Sequence, residues 1–177
     1  DALDYVIGKR KFNKQTLADF KIGYAPNNGT ALMDFLKKRG HDETTIKLAG
    51  LSAQRYRGAG DMFRGRIMIP LADAQGATIG FTARILEDDP NAPKYINTPQ
   101  TLLYDKSRHV FGLHLAKDAI RRADFAVIVE GNLDVIASHQ AGYADVDATA
   151  GTAITPYHLK ALQRFTDDLR LSFDQDR

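Results

Sequence analysis

The stretch that decides the fold is FAVIVEGNLDVIASHQA, residues 125–141. It opens with a continuous apolar run, passes through Glu130 and Gly131, and continues with apolar residues at helical spacing. A short β-branched run that leads directly into a helical pattern is typical of a buried strand followed by a helix. We therefore expect a strand over 125–129 and a helix over 133–141.

Two further strands follow, with a helix between them. Val146 and Ala148 indicate a short strand, 155–165 a helix with Pro156 in its first turn, and 169–173 a third strand. Helices that alternate with apolar strands predict a parallel sheet of βαβαβ type with right-handed crossovers.

Acidic residues follow the first and the third of the three predicted strands. Glu130 ends the first strand, Asp134 lies in the opening turn of the next helix, Asp174 ends the third strand, and Asp176 comes two residues later. Because ligands of open parallel sheets bind beyond the carboxyl ends of the strands, we expect these four side chains at one sheet edge.

Carboxylates placed together need a counter-charge. Two unit charges about 4 Å apart repel by roughly 4 kcal/mol at an effective dielectric constant near 20. All-oxygen donors suit Mg²⁺ or Mn²⁺, and we expect a pair of such ions. For any single acid the alternative is a capping role, which a position near a helix N-terminus would favour for Asp134.

The segment before this sheet carries a predicted hairpin over about 66–84. Residues 67–71 and 79–83 alternate between apolar and other side chains, and a three-residue loop over 74–76 would place all the apolar residues on one face. The same register sets Arg66 opposite Arg84, and the alternation places Arg64 on the same face of the hairpin. Since like charges across a ladder repel, an anion over this face is one explanation, and two solvated arginines splayed apart are the other.

The remaining N-terminal residues are expected to form short helices, one of them over 31–39, with Asn13 and Asp42 as N-caps. Residues 87–112 contain three prolines, which predicts a long ordered loop rather than a strand. This loop is either a binding surface or merely solvated. It carries cations interleaved with an aromatic residue, namely Lys94, Tyr95, Asn97, Lys106 and Arg108.

The net charge of the 177 residues hides a division. The 24 Lys and Arg residues against 22 Asp and Glu give +2, but residues 1–122 hold 20 and 13 (net +7) and residues 123–177 hold 4 and 9 (net −5). The division predicts a basic subdomain over 1–122 that holds anions and an acidic one over 123–177 that holds cations.

Several classes of site are excluded by composition and motif. The sequence contains no cysteine, so it has no disulfide, no thiol nucleophile and no cysteine-liganded zinc, as is usual in a reducing compartment. It has no P-loop, no Gly-x-Ser-x-Gly motif and no apolar run of membrane-spanning length. The five histidines lack ligand spacing, and we expect them to be surface or hydrogen-bonded residues.

The acidic motifs resemble the Toprim module of primases, topoisomerases and some nucleases, and the upstream blocks resemble the RNA polymerase domain of bacterial DnaG-type primases. The resemblance covers almost the whole chain in the right order. The residues that carry it are EGNLDVIA (130–137), GTA (151–153) and FDQDR (173–177), together with FRGRIMIP (63–70), GFTAR (80–84), PKYINTP (93–99), YDK (104–106) and IGYAP (22–26).

The resemblance implies an α/β fold in which an α+β N-terminal part is followed by a Toprim-like βαβαβ sheet, truncated at the C-terminus. It implies a DNA-directed RNA polymerase that makes RNA primers from ribonucleoside triphosphates on single-stranded DNA, in the cytoplasm at the replisome. Glu130 would be the catalytic acid and a metal ligand, with Asp174 and Asp176 as further ligands and Asp134 in support. The basic cluster that faces nucleic acid or nucleotide would be Arg64, Arg66, Arg84, Lys94, Tyr95, Asn97 and Lys106.

Departures from the family pattern qualify these expectations. Asn132 replaces a usual aromatic residue, and Gln175 replaces the glycine between the two aspartates. The chain begins at Asp1 and ends at Arg177, before further acidic residues of the family, so we expect a fragment that is inactive alone. Zinc is expected only in an absent N-terminal domain, and the replicative helicase would bind through an absent C-terminal domain. The alternatives are a Toprim nuclease or topoisomerase, and a silent module that binds DNA or helicase.

Overall fold

The chain folds as two compact units, the first made of residues 1–71 and 79–104 and the second of residues 72–78 and 105–177. The computed structural model describes residues 1–56, 58–87, 89–149, 151 and 153–174. The predicted ligand Asp176 lies outside these described residues.

Short helices dominate the start of the first unit, as the sequence predicts. The side chains of Asn13 and Asp42 accept the backbone N–H groups of Thr16 and Thr45, which confirms both as N-caps. The helices are α1 (Ala2–Asp4), a π-helical turn (Tyr5–Lys9), α2 (Lys14–Asp19), α3 (Ala31–Lys38) and α4 (Glu43–Leu48).

A four-stranded sheet and a separate two-stranded hairpin complete this part of the chain. The strands are β1 (Gly23–Ala25), β2 (Ser52–Arg55), β3 (Gly58–Asp61), β4 (Arg66–Ala72), β5 (Thr78–Ile85) and β6 (Tyr95–Asn97). The sheet order is β1-β4-β5-β6, and β2 pairs with β3. Ile67, Ile69, Leu71 and Ala83 are buried, so the predicted apolar face lies in the core.

The loop between β4 and β5 has the predicted geometry. The N–H of Asp73 donates to the carbonyl of Ala77 (2.9 Å), and Gly76 has a φ of +90°. A positive φ at this position suits glycine because a side chain would be strained there. The closing pair Asp73–Ala77 is the one that the predicted register requires.

The prediction that 87–112 contains no strand is wrong. Residues 95–97 form β6, which pairs antiparallel with β5 and sets Tyr95 opposite Arg84. Pro93 and Pro99 bound the segment closely, and a strand of three residues on an open sheet edge needs few ladder hydrogen bonds. Proline content therefore limits the length of this strand without preventing it.

A long-range cap that the sequence did not predict holds the start of α3. The buried carboxylate of Asp61, at the end of β3, accepts the backbone N–H groups of Leu32 and Met33, each at 2.9 Å. These are two of the N–H groups that a helix start leaves without an intrahelical partner. One carboxylate thus joins the β2–β3 hairpin to α3.

Replacing Asp61 with Ala should therefore destabilise the chain by about 2 kcal/mol, because one buried and one partly buried N–H group lose their acceptor. Urea unfolding of the 177-residue chain measures this change. Asn28→Ala is the matched control, since Asn28 accepts only the exposed N–H of Ala31 and its loss should cost less. Equal losses of unfolding free energy for the two substitutions would show that the Asp61 cap stabilises the chain no more than the exposed Asn28 contact does.

The second unit contains the predicted parallel sheet. Its elements are α5 (Leu113–Ala123), β7 (Ala126–Val129), α6 (Asn132–Gln140), β8 (Val146–Ala148), α7 (Pro156–Leu162) and β9 (Leu169–Ser172). The sheet order is β8-β7-β9 and both pairings are parallel, which confirms the βαβαβ prediction. Ala116, Ile120, Ile128 and Leu162 form the centre of its core.

Helix α7 ends earlier than predicted. The sequence indicates helix to residue 165, but the backbone N–H of Phe165 donates to Leu162 in a tight turn, and the Thr166 hydroxyl donates to the carbonyl of Asp124. This side-chain bond anchors the turn that leads into β9. Among the described residues no helix is long and apolar enough to cross a membrane.

Candidate active site

Glu130 and Asp174 lie at the same edge of the parallel sheet. Strands β7 and β9 are neighbours, with Val129 opposite Ser172, so each acid comes just after its strand. The backbone N–H of Asp174 donates to Oε1 of Glu130 at 3.1 Å, and both residues are exposed. The structure thus brings together two predicted site residues that are 44 positions apart in the sequence.

Asp134 has a local structural contact. Its Oδ2 accepts the backbone N–H of Gly131 at 3.1 Å and so caps the start of α6. A Cβ atom on residue 131 would lie 2.7 Å from that oxygen, which is too close. A side chain at position 131 would therefore displace the Asp134 carboxylate and weaken this cap, a contact that the sequence pattern alone did not reveal.

The donors at this edge fit a hard divalent cation in their chemistry. Glu130 and Asp174 supply only carboxylate oxygens, and Oε2 of Glu130 makes none of the hydrogen bonds found for the described residues. Within the described ranges, no three His, Cys, Asp or Glu side chains are grouped closely enough to hold a metal ion. Two donors with water and phosphate oxygens match the way Mg²⁺ is usually bound.

The first unit contains a cavity of about 870 Å³ with a basic wall. Arg55, Arg64 and Arg66 line it, as do the acidic residues Glu87 and Asp89. Sequence reasoning included Arg64 and Arg66 but missed Arg55. Strand β2 carries Arg55 to the cavity, and the β2–β3 hairpin has no alternating pattern that would have predicted it.

Arg66 is a buried cation. It is 6% exposed, and its Nη1 donates to the backbone carbonyl of Lys94 at 3.3 Å. Burial lowers the pKa of the guanidinium from its ordinary value. Among the described residues Arg66 forms no salt bridge.

Arg84 is also buried, which rules out the alternative of two solvated arginines. Its Nη1 donates to the carbonyl of Ile85 at 2.6 Å, and its guanidinium lies 4.6 Å from the ring centre of Tyr5 and 6.0 Å from that of Tyr95. An arginine that stacks on an aromatic ring contributes to packing as well as to charge. Arg84 therefore has a structural role whatever it binds.

The other predicted binding residues are divided between the two units. Lys94 and Tyr95 are exposed and Asn97 is half-buried, all three on or beside β6 of the first unit. Lys106 belongs to the second unit, where it is half-buried and its carbonyl faces Nε2 of His158.

Two buried titratable residues of the second unit were not predicted to be unusual. Burial lowers the pKa of His109 to about 4, with smaller effects from His158 and His114. Burial also raises the pKa of Asp147 well above its ordinary value, and the charge of Asp145 adds to this. His109 is therefore neutral at pH 7, and Asp147 resists ionisation.

Two family models match the chain. The model described as DNA primase catalytic core, N-terminal domain, matches residues 1–117. The model described as Toprim domain matches residues 124–177.

Known proteins match over the same range. A DNA primase of Streptomyces coelicolor is 42% identical over 92% of this chain and 25% of its own length. The RNA polymerase domain of the Mycobacterium tuberculosis primase DnaG is 36% identical with a TM-score of 0.91, over 99% of this chain and 60% of that one. A DnaG primase catalytic domain bound to single-stranded DNA is 32% identical with a TM-score of 0.87, over 99% and 55% of the two chains. The chain spans about a quarter of the length of the Streptomyces relative.

Proposed function

The chain belongs to the family of DnaG-type DNA primases, and we propose that it forms part of the active site of an enzyme that synthesises RNA primers on single-stranded DNA. In this proposal residues 1–122 hold phosphates and residues 123–177 hold divalent cations. The full enzyme would join ribonucleoside triphosphates by metal-dependent nucleotidyl transfer, in the cytoplasm with the replicative helicase.

The observation that carries the proposal is the hydrogen bond from Asp174 to Glu130. It joins the residues that follow two neighbouring parallel strands, and both acids are exposed at that edge. Two acids at one exposed edge gain nothing from each other's charge, and a bound cation would balance both.

We propose that Glu130 and Asp174 hold Mg²⁺ or Mn²⁺, with Asp176 as a further ligand. When bound, the cation would polarise the attacking 3′ hydroxyl and balance charge on the phosphates. The backbone N–H of Asp174 orients the Glu130 carboxylate by holding one of its oxygens. Asp134 supports this loop through Gly131, so it acts on position and not on the reacting atoms.

We propose that the basic cavity and β6 of the first unit bind template, primer or nucleotide phosphates. Arg64 and Arg66 line the cavity, and Tyr95 presents a partly exposed ring for stacking on a base. Support comes from the related catalytic domain bound to single-stranded DNA. Cations that contact phosphates give affinity without sequence readout.

Arg64→Ala is expected to weaken single-stranded DNA binding and to lower the slope of log affinity against log salt by about 1, because one phosphate contact is lost. Arg64 is exposed and makes no hydrogen bond or salt bridge among the described residues, so stability should stay within about 0.5 kcal/mol. Fluorescence anisotropy over a range of salt concentrations measures the slope.

Lys38→Ala is the matched control for this test. Lys38 is an exposed cation at the end of α3 and does not line the cavity. A control variant with the same slope change would show that only net charge matters. Arg84 is less suitable for the test, since its burial against Tyr5 means that its removal should also cost stability.

The assay that decides between enzyme classes uses the full-length protein with single-stranded template, Mg²⁺ and labelled ribonucleoside triphosphates. Short RNA products support the proposal. Nicked or cleaved DNA would instead assign the acids to a nuclease or topoisomerase. Binding of DNA without any product would indicate a catalytically silent DNA-binding module.

A further inference from the structure

The first turn of α7 is bonded to the segment that carries Lys106. The hydroxyl of Thr155 donates to the carbonyl of Ser107 at 2.6 Å. Nε2 of His158 lies 3.4 Å from the carbonyl of Lys106. Two side chains of one helical turn thus hold two consecutive carbonyls about 50 residues away in the sequence.

The same segment makes one further contact with α7 and is braced by an internal turn. The guanidinium of Arg108 stacks on the ring of Tyr157, 4.7 Å from its centre. The carboxylate of Asp105 accepts both the backbone N–H and the hydroxyl of Ser107, at 2.9 and 2.7 Å. Residues 105–108 are therefore held to the start of α7 by the carbonyls of Lys106 and Ser107 and by the side chain of Arg108, and they are braced internally by Asp105.

His158 is a neutral ring with a defined tautomer. It is fully buried, and the backbone N–H of Thr155 donates to its Nδ1 at 3.2 Å. Since Nδ1 accepts, Nε2 carries the hydrogen and donates to Lys106. Burial lowers the pKa of His158, which keeps the accepting nitrogen unprotonated near neutral pH.

The ammonium group of Lys106 has no carboxylate partner in the part of the chain that the structure describes. The residue is half-buried. A long side chain loses conformational freedom when it binds a phosphate, and less is lost when its backbone is already fixed. Anchoring this segment should therefore favour binding by Lys106.

We infer that His158 is a positioning residue that sets Lys106 against the phosphates of the incoming ribonucleoside triphosphate, with Thr155 completing the anchor. This inference rests on the proposed function, in which residues 1–122, and so Lys106, hold phosphates. His158 touches no substrate, and it acts through the carbonyl of Lys106.

The first test replaces His158 with Leu in the full-length protein and measures primer synthesis against the concentration of ribonucleoside triphosphates. KM should rise about 3- to 10-fold while kcat stays within about twofold, because the cost of ordering the segment moves to the binding step. His158→Gln should restore KM to within about twofold, since an amide can accept from Thr155 and donate to Lys106.

A double-mutant cycle separates positioning from general stability. Lys106→Ala alone should raise KM, and His158→Leu should add less than about twofold in that background. An equal His158 effect in both backgrounds would overturn the inference. If Lys106→Ala leaves KM unchanged, the proposed role of Lys106 itself is wrong. An effect of Lys106 without one of His158 overturns only the positioning role.

Thr155 provides a second route if His158→Leu does not fold. Thr155→Val keeps the side-chain shape but removes both the bond to Ser107 and the N-cap bond from the His158 N–H, and KM should rise at least about twofold. Thr155→Ser should restore it. Leu159→Ala, a partly exposed position on the same helix, is the control, and a KM change as large as that of Thr155→Val would contradict the anchoring role.

Discussion

Replacing Glu130 with Gln should abolish primer synthesis by the full-length protein, a loss of at least about 100-fold, which is typical when one preorganised electrostatic contact is removed from a reacting centre. The amide can still accept the N–H of Asp174, so the loop should keep its shape. Only the negative charge that would hold the cation is lost. Radiolabelled primer products measure the effect.

The same variant should bind single-stranded DNA within a few-fold of the parent, because the contacts to phosphates come from the basic residues. Asp167→Asn is the matched control, an exposed acid in the same unit that precedes β9. Asp134→Asn should have a smaller effect than Glu130→Gln, since its carboxylate caps Gly131. Polymerisation by the Glu130→Gln variant near the parental level would refute the assignment.

The parallel sheet was predictable because its determinants are local. The apolar side chains of residues 125–129 must be buried away from water, which favours a central strand. The helical spacing that follows leaves few alternatives to a βαβ crossover. The meeting of Glu130 and Asp174 follows from the same topology, since parallel neighbours end at one edge.

The parts that were not predicted depend on partners far away in the sequence. Strands β2 and β3 contain few β-branched residues and form because they pair with each other. The burial of Arg84 depends on Tyr5, and the cap of α3 on Asp61, 28 and 29 residues beyond the N–H groups it accepts. No local pattern around these residues indicates the contact.

Asp147 is the plainest example of such a residue. It lies in the middle of β8, between Val146 and Ala148. In the structure it is fully buried, and neither carboxyl oxygen has a hydrogen-bond partner among the described residues. Burying a polar group without a partner costs stability.

The pH dependence of this cost has a definite sign. Burial raises the folded-state pKa of Asp147 well above the ordinary value of 3.8. Below pH 3.8 the carboxyl is protonated in both states and costs nothing through ionisation. As the pH rises above 3.8 the unfolded chain releases the proton while the folded chain retains it, so stability is lost with increasing pH until the raised pKa is reached.

Asp147→Val should therefore increase the free energy of unfolding at pH 7 by about 1 to 3 kcal/mol, the usual cost of a buried polar group without a partner. The gain should shrink as the pH approaches 3.8, because the ionisation part disappears while the cost of burying a neutral carboxyl remains. Urea unfolding of the 177-residue chain at pH 7 and pH 4 measures both values.

Comparing variants at each pH isolates Asp147 from the buried histidines. The pKa of His109 is lowered from 6.5 to about 4, so His109 contributes stability that is lost as the pH falls through that range. That change occurs in the parent and in the variant alike and cancels in their difference. Asp145→Asn is the control, and it should give a smaller gain because it removes only the neighbouring charge. If Asp147→Val instead lowers stability at both pH values, the carboxyl is making a favourable contact and its burial is not a cost.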